Sequence, residues 1–345
     1  MQTKIVKIGG IKIGGGNPVA VQSMLNADPT DFPASARQLR RLLAAGCEII
    51  RIAVPNLVSL ATFRRLRAKF PAVPLVADIH FDWRLAVAAA EFADKIRINP
   101  GNLGSSENLK KVVVACCEKK IPIRVGVNAG SLEKGLKGNP AQKLAASALR
   151  NIRQIEKLGF KNLVISAKSS DVKTSVEANR ILARKMNYPL HLGITEAGSA
   201  KFGTLKSAAG IGSLLLDGIG DTLRISLTDS PEKEVEAAWD LLRACGIRKR
   251  GIEVVSCPTC GRCEVDLIPL VKKVERAVAA IPHNLKIAVM GCVVNGPGEA
   301  AHADFALVGG RRQFAIYRKG KFVKSVSEKN ALAKFLETIK NNFDF

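Results

Sequence analysis

Aromatic and acidic residues are scarce in this 345-residue sequence. Phe, Trp and Tyr make up 5% of the residues, and 30 Asp and Glu stand against 53 Lys and Arg, a formal net charge of +23. No apolar run approaches the roughly 20 residues of a membrane span. The N-terminal stretch MQTKIVKIGG also lacks the continuous apolar segment of a signal peptide. We therefore expect a cytoplasmic protein with no membrane segment.

The positive charge raises the question of nucleic acid binding. The basic residues are spread along the whole chain without a long basic run, and few aromatics are available to stack on bases. The charge is therefore better explained by a solvated basic surface, by anionic small substrates or by acidic protein partners. A basic RNA-binding protein with a zinc ribbon is a weaker alternative.

The eight cysteines fall into two groups. Four are scattered and are typical of small buried hydrophobic residues, namely Cys47, Cys116, Cys117 and Cys245. The others lie in two Gly/Pro-rich stretches, with Cys257, Cys260 and Cys263 in SCPTCGRCEVD and Cys292 in GCVVNGPGEA. The C-x-x-C-x-x-C spacing lets neighbouring thiols approach one centre. A four-thiolate zinc site and an iron–sulfur cluster both fit, thiols without metal are a third alternative, and spacing alone would nominate all four cysteines.

Short β-branched runs alternate with helical patterns over the first two thirds of the chain. Eight such runs occur: 19–24, 48–55, 74–79, 95–100, 121–128, 162–169, 189–196 and 222–227. Between them, segments such as 34–46, 56–70, 142–159 and 175–186 repeat apolar residues every three or four positions. This order predicts a (β/α)8 TIM-type barrel in residues 1–247, preceded by a hairpin in KIVKIGGIKIGG. Residues 248–345 have the pattern of a smaller α+β domain.

Polar residues gather at the C-terminal ends of the eight predicted strands, where barrel enzymes carry their chemistry. The cations are Arg51, Arg97, Arg124, Lys168 and Arg224, and the carboxylates are Asp78 and Glu196. The other polar residues there are Gln22, Ser23, His80, Asn99, Asn128 and Ser226. A partly desolvated pocket with this excess of cations needs an anion. Arginine forks match phosphate oxygens, so the sequence favours a diphosphate.

Several motifs together resemble one family, the bacterial 4-hydroxy-3-methylbut-2-enyl diphosphate synthases of the non-mevalonate isoprenoid pathway. They are VADIHFDWR, IRINPGNLG, IRVGVNAGSLEK, LHLGITEAG, GIGDTLRISLTDSP, SCPTCGR and MGCVVNGPGEA. The resemblance implies a TIM-type barrel followed by a [4Fe-4S] domain similar to modules of sulfite and nitrite reductases. It also implies a homodimer in which the cluster domain of one subunit caps the barrel of the other.

The same resemblance implies a reaction and a set of residues. The substrate would be 2-C-methyl-D-erythritol 2,4-cyclodiphosphate, opened and reductively dehydrated with two electrons from ferredoxin or flavodoxin. The implied cluster ligands are Cys257, Cys260, Cys292 and Glu299, which leaves Cys263 outside the set. The implied substrate contacts are Arg51, Asp78, Arg97, Arg124, Asn128, Lys168, Arg224 and Ser226. Glu196 is our candidate for the proton donor, and Glu299 for a displaceable ligand.

The sequence leaves one alternative enzymatic function open. A barrel aldolase or synthase acting on phosphorylated sugars, with a structural zinc at the cysteines, would also use cations at the strand ends. A colourless protein that works without reductant would favour it.

Overall fold

The computed structural model describes residues 2–279, 281, 283–311 and 313–342. Contacts divide the chain into two compact units, Met1–Arg248 and Lys249–Phe345. The sequence placed the boundary one residue earlier. Among the described residues, no helix combines the length and the apolar content that crossing a membrane requires.

The first unit opens with the predicted hairpin. Strands β1 (Val6–Ile8) and β2 (Ile11–Ile13) pair antiparallel around a Gly9–Gly10 turn. Val6, Ile8 and Ile13 are buried against residues from three barrel strands, Ile49, Val76 and Val164. The hairpin therefore covers the interior of the barrel with apolar side chains.

The eight predicted barrel strands are confirmed. They are β3 (Ala20–Met24), β4 (Ile49–Ala53), β5 (Leu75–Asp78), β6 (Lys95–Ile98), β7 (Ile123–Asn128), β8 (Leu163–Lys168), β9 (His191–Leu192) and β10 (Thr222–Leu223). All neighbours are parallel, in the order β8-β7-β6-β5-β4-β3-β10-β9. A parallel bridge between Ile165 and Leu190 joins β8 to β9 and closes the ring.

Eight helices surround the barrel, one after each strand. They are α1 (Phe32–Ala45), α2 (Leu57–Lys69), α3 (Trp83–Ala89), α4 (Ser106–Glu118), α5 (Pro140–Glu156), α6 (Val172–Lys185), α7 (Ala200–Leu216) and α8 (Pro231–Ala244). The four helical segments predicted from periodicity correspond to α1, α2, α5 and α6. Local signals fix their ends: Asp31 caps the N-terminus of α1, and Gly46 ends it in the left-handed conformation at φ 97°.

Alternation along each barrel strand separates two environments. Ile50 and Ile52 of β4 pack into the hydrophobic layer under the helices, as Ile96 and Ile98 of β6 do. The residues between them, Arg51 and Arg97, must then face the barrel interior. The same pleat that builds the apolar shell therefore directs the cations inward.

The second unit is an α+β layer around a five-stranded sheet. Its elements are β11 (Ile252–Ser256), α9 (Leu267–Val278), β12 (Leu285–Met290), α10 (Gly296–Ala301), β13 (Phe305–Gly310), β14 (Gln313–Arg318), β15 (Lys321–Ser327) and α11 (Glu328–Lys340). Strands β11, β12 and β13 are parallel, and β14 and β15 form an antiparallel hairpin that follows β13. Helices α9 and α11 bury Val274 and Phe335 against the sheet.

The packing of the first hairpin gives a test of the fold. Ile8 is fully buried, whereas Ile5 of the same segment is 61% exposed. We expect Ile8→Ala to lower the free energy of unfolding by about 2–5 kcal/mol, because it leaves a cavity. Ile5→Ala should change it by less than about 0.5 kcal/mol. Urea denaturation of the two variants measures the difference, and equal effects would contradict the burial of the hairpin.

Candidate functional site

The barrel interior holds a group of buried cations: Lys168 ends β8, whereas Arg97 lies within β6 and Arg124, predicted at a strand end, lies near the start of β7. Arg97 of β6 and Arg124 of β7 are direct partners across the parallel ladder, and Asn128 of β7 is paired with Lys168 of β8. Arg124 is 1% exposed, Lys168 6% and Arg97 7%. Bulky branched residues normally fill such an interior. Here long polar side chains take that place.

Asp78 is the carboxylate shared by these cations. Its Oδ1 accepts from Arg97 Nη1 at 3.1 Å, and its Oδ2 lies 3.8 Å from Arg51 Nε and 3.4 Å from His80 Nε2. Burial acts to raise the pKa of Asp78, but Arg51, the hydrogen bond from His80 and Arg97 outweigh it and hold the pKa well below its usual value. Asp78 therefore stays ionised and anchors the cluster.

The arginines have more donors than the protein supplies acceptors. Among the residues that the structure describes, Arg97 Nε and both Nε and Nη2 of Arg124 are buried without a hydrogen-bond partner. Arg124 Nη1 reaches the Ser166 hydroxyl at 3.5 Å, and two Arg51 nitrogens lie against the weakly accepting sulfur of Met24 at 3.0 and 2.8 Å. Leaving a buried donor unpaired is costly. The pocket is thus chemically suited to a ligand rich in negatively charged oxygen atoms.

The pKa values of the buried cations also indicate a site for an anion. Burial lowers the pKa of Arg51 to about 10, and the neighbouring cations Arg224 and Arg97 contribute to the shift. Burial, followed by repulsion from Arg124 and Arg51, lowers the pKa of Lys168 well below its usual value. Binding an anion would reverse both effects, because it stabilises the charged forms.

Two charged residues of this site were missed from the sequence. Lys95 is fully buried at the start of β6, with its Nζ 3.3 Å from Gln22 Oε1. Glu234 lies in the first turn of α8, is 4% exposed and pairs with Arg224 at 3.2 Å. They add one cation and one carboxylate, so the formal excess of positive charge is unchanged. Lys95 lies at the start of its strand, and Glu234 lies on a helix. A pattern of polar residues at the C-terminal ends of strands therefore includes neither of them.

Two glycines make room for the cations. A Cβ atom added at Gly126 would lie 2.7 Å from Arg97 Nε, and one at Gly193 would lie 2.5 Å from Lys168 Nζ. Such distances are not tolerated between real atoms, so side chains at these positions would displace the cations. Gly126 and Gly193 therefore leave the space that Arg97 and Lys168 of the neighbouring strands occupy.

Glu196 lies apart from the cation cluster. It is exposed in the loop after β9, where Thr195 N donates to Ser169 O at 3.2 Å. Its φ of 52° is in the left-handed region, which is unusual for a residue other than glycine and is often found at functional sites. Within the part of the chain that the structure describes, no hydrogen bond or ion pair joins Glu196 or the half-buried Ser226 to the cations.

The clustered cysteines gather at one edge of the second sheet. Parallel pairing of β11 with β12 places Ser256 beside Val289, so Cys257 and Cys292 follow neighbouring strands. The Gly291 N–H donates to Cys257 Sγ at 3.2 Å. A Cβ at Gly291 would collide with Cys263 Sγ and lie 3.6 Å from Cys257 Sγ. Two of the four thiols, those of Cys257 and Cys263, thus lie against a glycine that leaves space for sulfur.

The donor chemistry of this edge fits a thiolate-bound group. Hydrogen bonds from the backbone of Asn295 and then Val294, together with Arg262, lower the pKa of the Cys292 thiol and so favour the thiolate. Cys260 and Glu299 are exposed, the latter on the short helix α10. Across the described ranges, no three His, Cys, Asp or Glu side chains already converge on a single ion. A four-iron cluster is bound at separate iron atoms, which this spread of thiols can serve.

Comparisons with known proteins cover nearly the whole chain. The family model described as the GcpE TIM-barrel domain matches residues 3–239, and the model described as the GcpE protein C-terminal domain matches residues 253–341. A protein of Caldanaerobacter subterraneus subsp. tengcongensis, named 4-hydroxy-3-methylbut-2-en-1-yl diphosphate synthase (flavodoxin), is 52% identical and covers 98% of this chain and 96% of its own. A Fusobacterium nucleatum protein of the same name is 48% identical, with 99% and 98% covered.

Solved structures match the barrel. Dihydropteroate synthase of Stenotrophomonas maltophilia aligns with a TM-score of 0.52 and 16% identity, over 70% of this chain and 97% of its own. A phospho-2-dehydro-3-deoxyheptonate aldolase of Thermotoga maritima gives 0.51 and 14%, over 72% and 76%. At these identities the likeness shows the fold alone.

The glycine gap at Gly126 yields a testable prediction. We expect Gly126→Ala to weaken the binding of inorganic diphosphate about tenfold, because it displaces Arg97 from its place beside Asp78. Gly130→Ala is the matched control, since a Cβ there would meet nothing within 4 Å. Isothermal titration calorimetry measures both variants. Equal affinities in the two would show that the position of Arg97 does not matter for binding.

Proposed function

The chain belongs to the GcpE family, and we propose that it is a 4-hydroxy-3-methylbut-2-enyl diphosphate synthase. It converts 2-C-methyl-D-erythritol 2,4-cyclodiphosphate into 4-hydroxy-3-methylbut-2-enyl diphosphate, a step of isoprenoid precursor synthesis. The observation that carries this proposal is the set of buried Arg97 and Arg124 donors in the barrel that have no partner within the described part of the chain. A cyclic diphosphate offers the oxygen acceptors and the negative charge that these donors require.

The cations hold the diphosphate, and the remaining polar groups orient the carbon skeleton. Arg97 and Arg124 have donors without a partner in the described ranges of the chain. Two Arg51 nitrogens contact the Met24 sulfur, a weak acceptor, and a phosphate oxygen in its place would form stronger, charge-assisted hydrogen bonds. We assign Lys168, Arg224, Asn128 and Ser226 to the same ligand. Asp78 keeps Arg51 and Arg97 in place and can accept a hydrogen bond from a substrate hydroxyl.

The reaction takes up two electrons and two protons. One carbon–oxygen bond to phosphate breaks, one hydroxyl leaves as water, and a carbon–carbon double bond forms. We propose that Glu196 protonates the departing hydroxyl, since it is an exposed acid held in a left-handed conformation after β9.

Cys257, Cys260, Cys292 and Glu299 would hold a [4Fe-4S] cluster, which supplies the electrons when bound. Cys263 stands outside this set, as the family resemblance implies, and its Sγ donates to the Val265 carbonyl at 3.2 Å. Carboxylate binds iron more weakly than thiolate does. Glu299 would therefore be the most weakly held and most readily displaced ligand of the set.

We further propose the protein partners. The relatives are named for flavodoxin, and a net charge of +23 favours docking of an acidic electron donor of that kind. A homodimer would let the cluster domain of one subunit cap the barrel of the other and exclude water from the reaction.

The free thiols of all eight cysteines are consistent with the reducing cytoplasm.

The ligand set can be tested by composition. Protein purified without oxygen should carry about four iron and four acid-labile sulfide atoms per chain. We expect Cys263→Ala to retain both and Cys292→Ala to lose most of them, as measured by metal analysis and the visible spectrum. Loss of the cluster in Cys263→Ala with full content in Cys292→Ala would reverse the assignment. Zinc in the purified protein, without iron or acid-labile sulfide, would contradict the proposed reductive function.

The role of Glu196 can be tested separately. Glu196→Gln should lower kcat about 10²–10⁴-fold, the usual contribution of a general acid, while the substrate still binds. Glu118→Gln, an exposed glutamate at the end of α4, is the control and should keep wild-type turnover. Unchanged kcat in Glu196→Gln would exclude it as the proton donor.

A further inference from the structure

Glu234 is a buried carboxylate that no motif singled out, and it makes more hydrogen bonds than any other acid at the barrel mouth. Its Oε1 accepts from Arg224 Nη2 at 3.2 Å and from Leu227 N at 3.1 Å. Its Oε2 accepts from Arg224 Nε at 3.2 Å and from Ser23 Oγ at 3.1 Å. One side chain of helix α8 therefore ties together strand β3, the residue after β10 and the loop that follows.

The contact with Arg224 constrains direction as well as distance. Two parallel N–H···O bonds, from Nε and Nη2, fix the plane and the rotation of the guanidinium. The remaining nitrogen, Nη1, has the Met24 sulfur at 3.8 Å as its neighbour. The same sulfur contacts Arg51. Glu234 thus occupies one edge of the guanidinium and leaves the other edge directed toward the cation cluster.

Helix electrostatics does not explain this carboxylate. Acidic residues are favoured in the first turn of a helix, and α8 has two there, Glu232 and Glu234. Glu232 meets that preference at the surface, where it pairs with Arg41, whose side chain is 59% exposed. Glu234 instead is 4% exposed and faces the barrel. Burying a carboxylate is unfavourable unless it is fully paired, which points to a role for the pairing itself.

We propose that Glu234 is a positioning residue, which holds the Arg224 guanidinium with its Nη1 edge turned toward the diphosphate. It acts through Arg224 and does not touch the substrate. The inference rests on the proposed function of the same pocket, because orienting Arg224 matters only if a diphosphate binds there. Fixing the arginine before the ligand arrives reduces the side-chain entropy that binding would otherwise lose.

A double-mutant cycle tests this role on the cluster-loaded protein, with inorganic diphosphate as the probe. Glu234→Gln should weaken diphosphate binding about tenfold in calorimetry. Arg224→Lys keeps the charge but cannot form the two-point contact, and it should weaken binding to a similar extent. If Glu234 acts through Arg224, adding Glu234→Gln to Arg224→Lys should cause no further loss. In turnover, Glu234→Gln should raise KM for the cyclic diphosphate more than it lowers kcat.

Controls separate the alternatives. Glu232→Gln, which loses only the surface pair with Arg41, should bind diphosphate as the wild type does. Tighter binding by Glu234→Gln would mean that Glu234 merely offsets positive charge, and additive losses in the cycle would mean a general structural role; either result overturns the proposal. If Glu234→Gln fails to fold, unchanged affinity in Arg224→Lys would overturn it instead. Failure of the wild type to bind diphosphate would reject the pocket itself.

Discussion

The buried positive charge of the barrel interior is the constraint to which the rest of the structure responds. Arg97, Arg124 and Lys168 are nearly inaccessible to solvent, and Asp78 balances only part of their charge. Such an arrangement opposes folding, because each cation loses hydration without gaining a full partner. The apolar layer beneath the helices and the hairpin packed against the interior supply the stability that the polar interior does not.

That same constraint makes the pocket ready for its ligand. Asp78 fixes two arginines and Glu234 fixes a third, while glycines on neighbouring strands leave the space that the long side chains need. The donors are therefore directed before an anion arrives, and little reorganisation is required on binding. In the second unit, the parallel register of β11 and β12 plays the corresponding part, since it sets Cys257 and Cys292 at one sheet edge.

Sequence reasoning reached the fold because a barrel strand with an apolar outer face has a strong pattern. The runs around Arg51, Arg97 and Arg124 show apolar neighbours on both sides of a cation, so both the strand and its inward residue could be predicted. Lys95 was missed because it stands at the opposite end of its strand. Glu234 was missed because, in sequence, it cannot be told from Glu232, which is half-buried and pairs with Arg41. Spacing could not separate Cys263 from the other thiols, because the three cysteines of C-x-x-C-x-x-C are equally spaced.

The most direct test of the central claim is to follow the cyclic diphosphate itself. Protein prepared without oxygen would be incubated with 2-C-methyl-D-erythritol 2,4-cyclodiphosphate and reduced flavodoxin, and the phosphorus NMR spectrum recorded over time. We expect the two resonances of the cyclic diphosphate to be replaced by those of a linear diphosphate monoester, with two electrons consumed for each product formed. An unchanged cyclic diphosphate, in the presence of an intact and reducible cluster, would contradict the account.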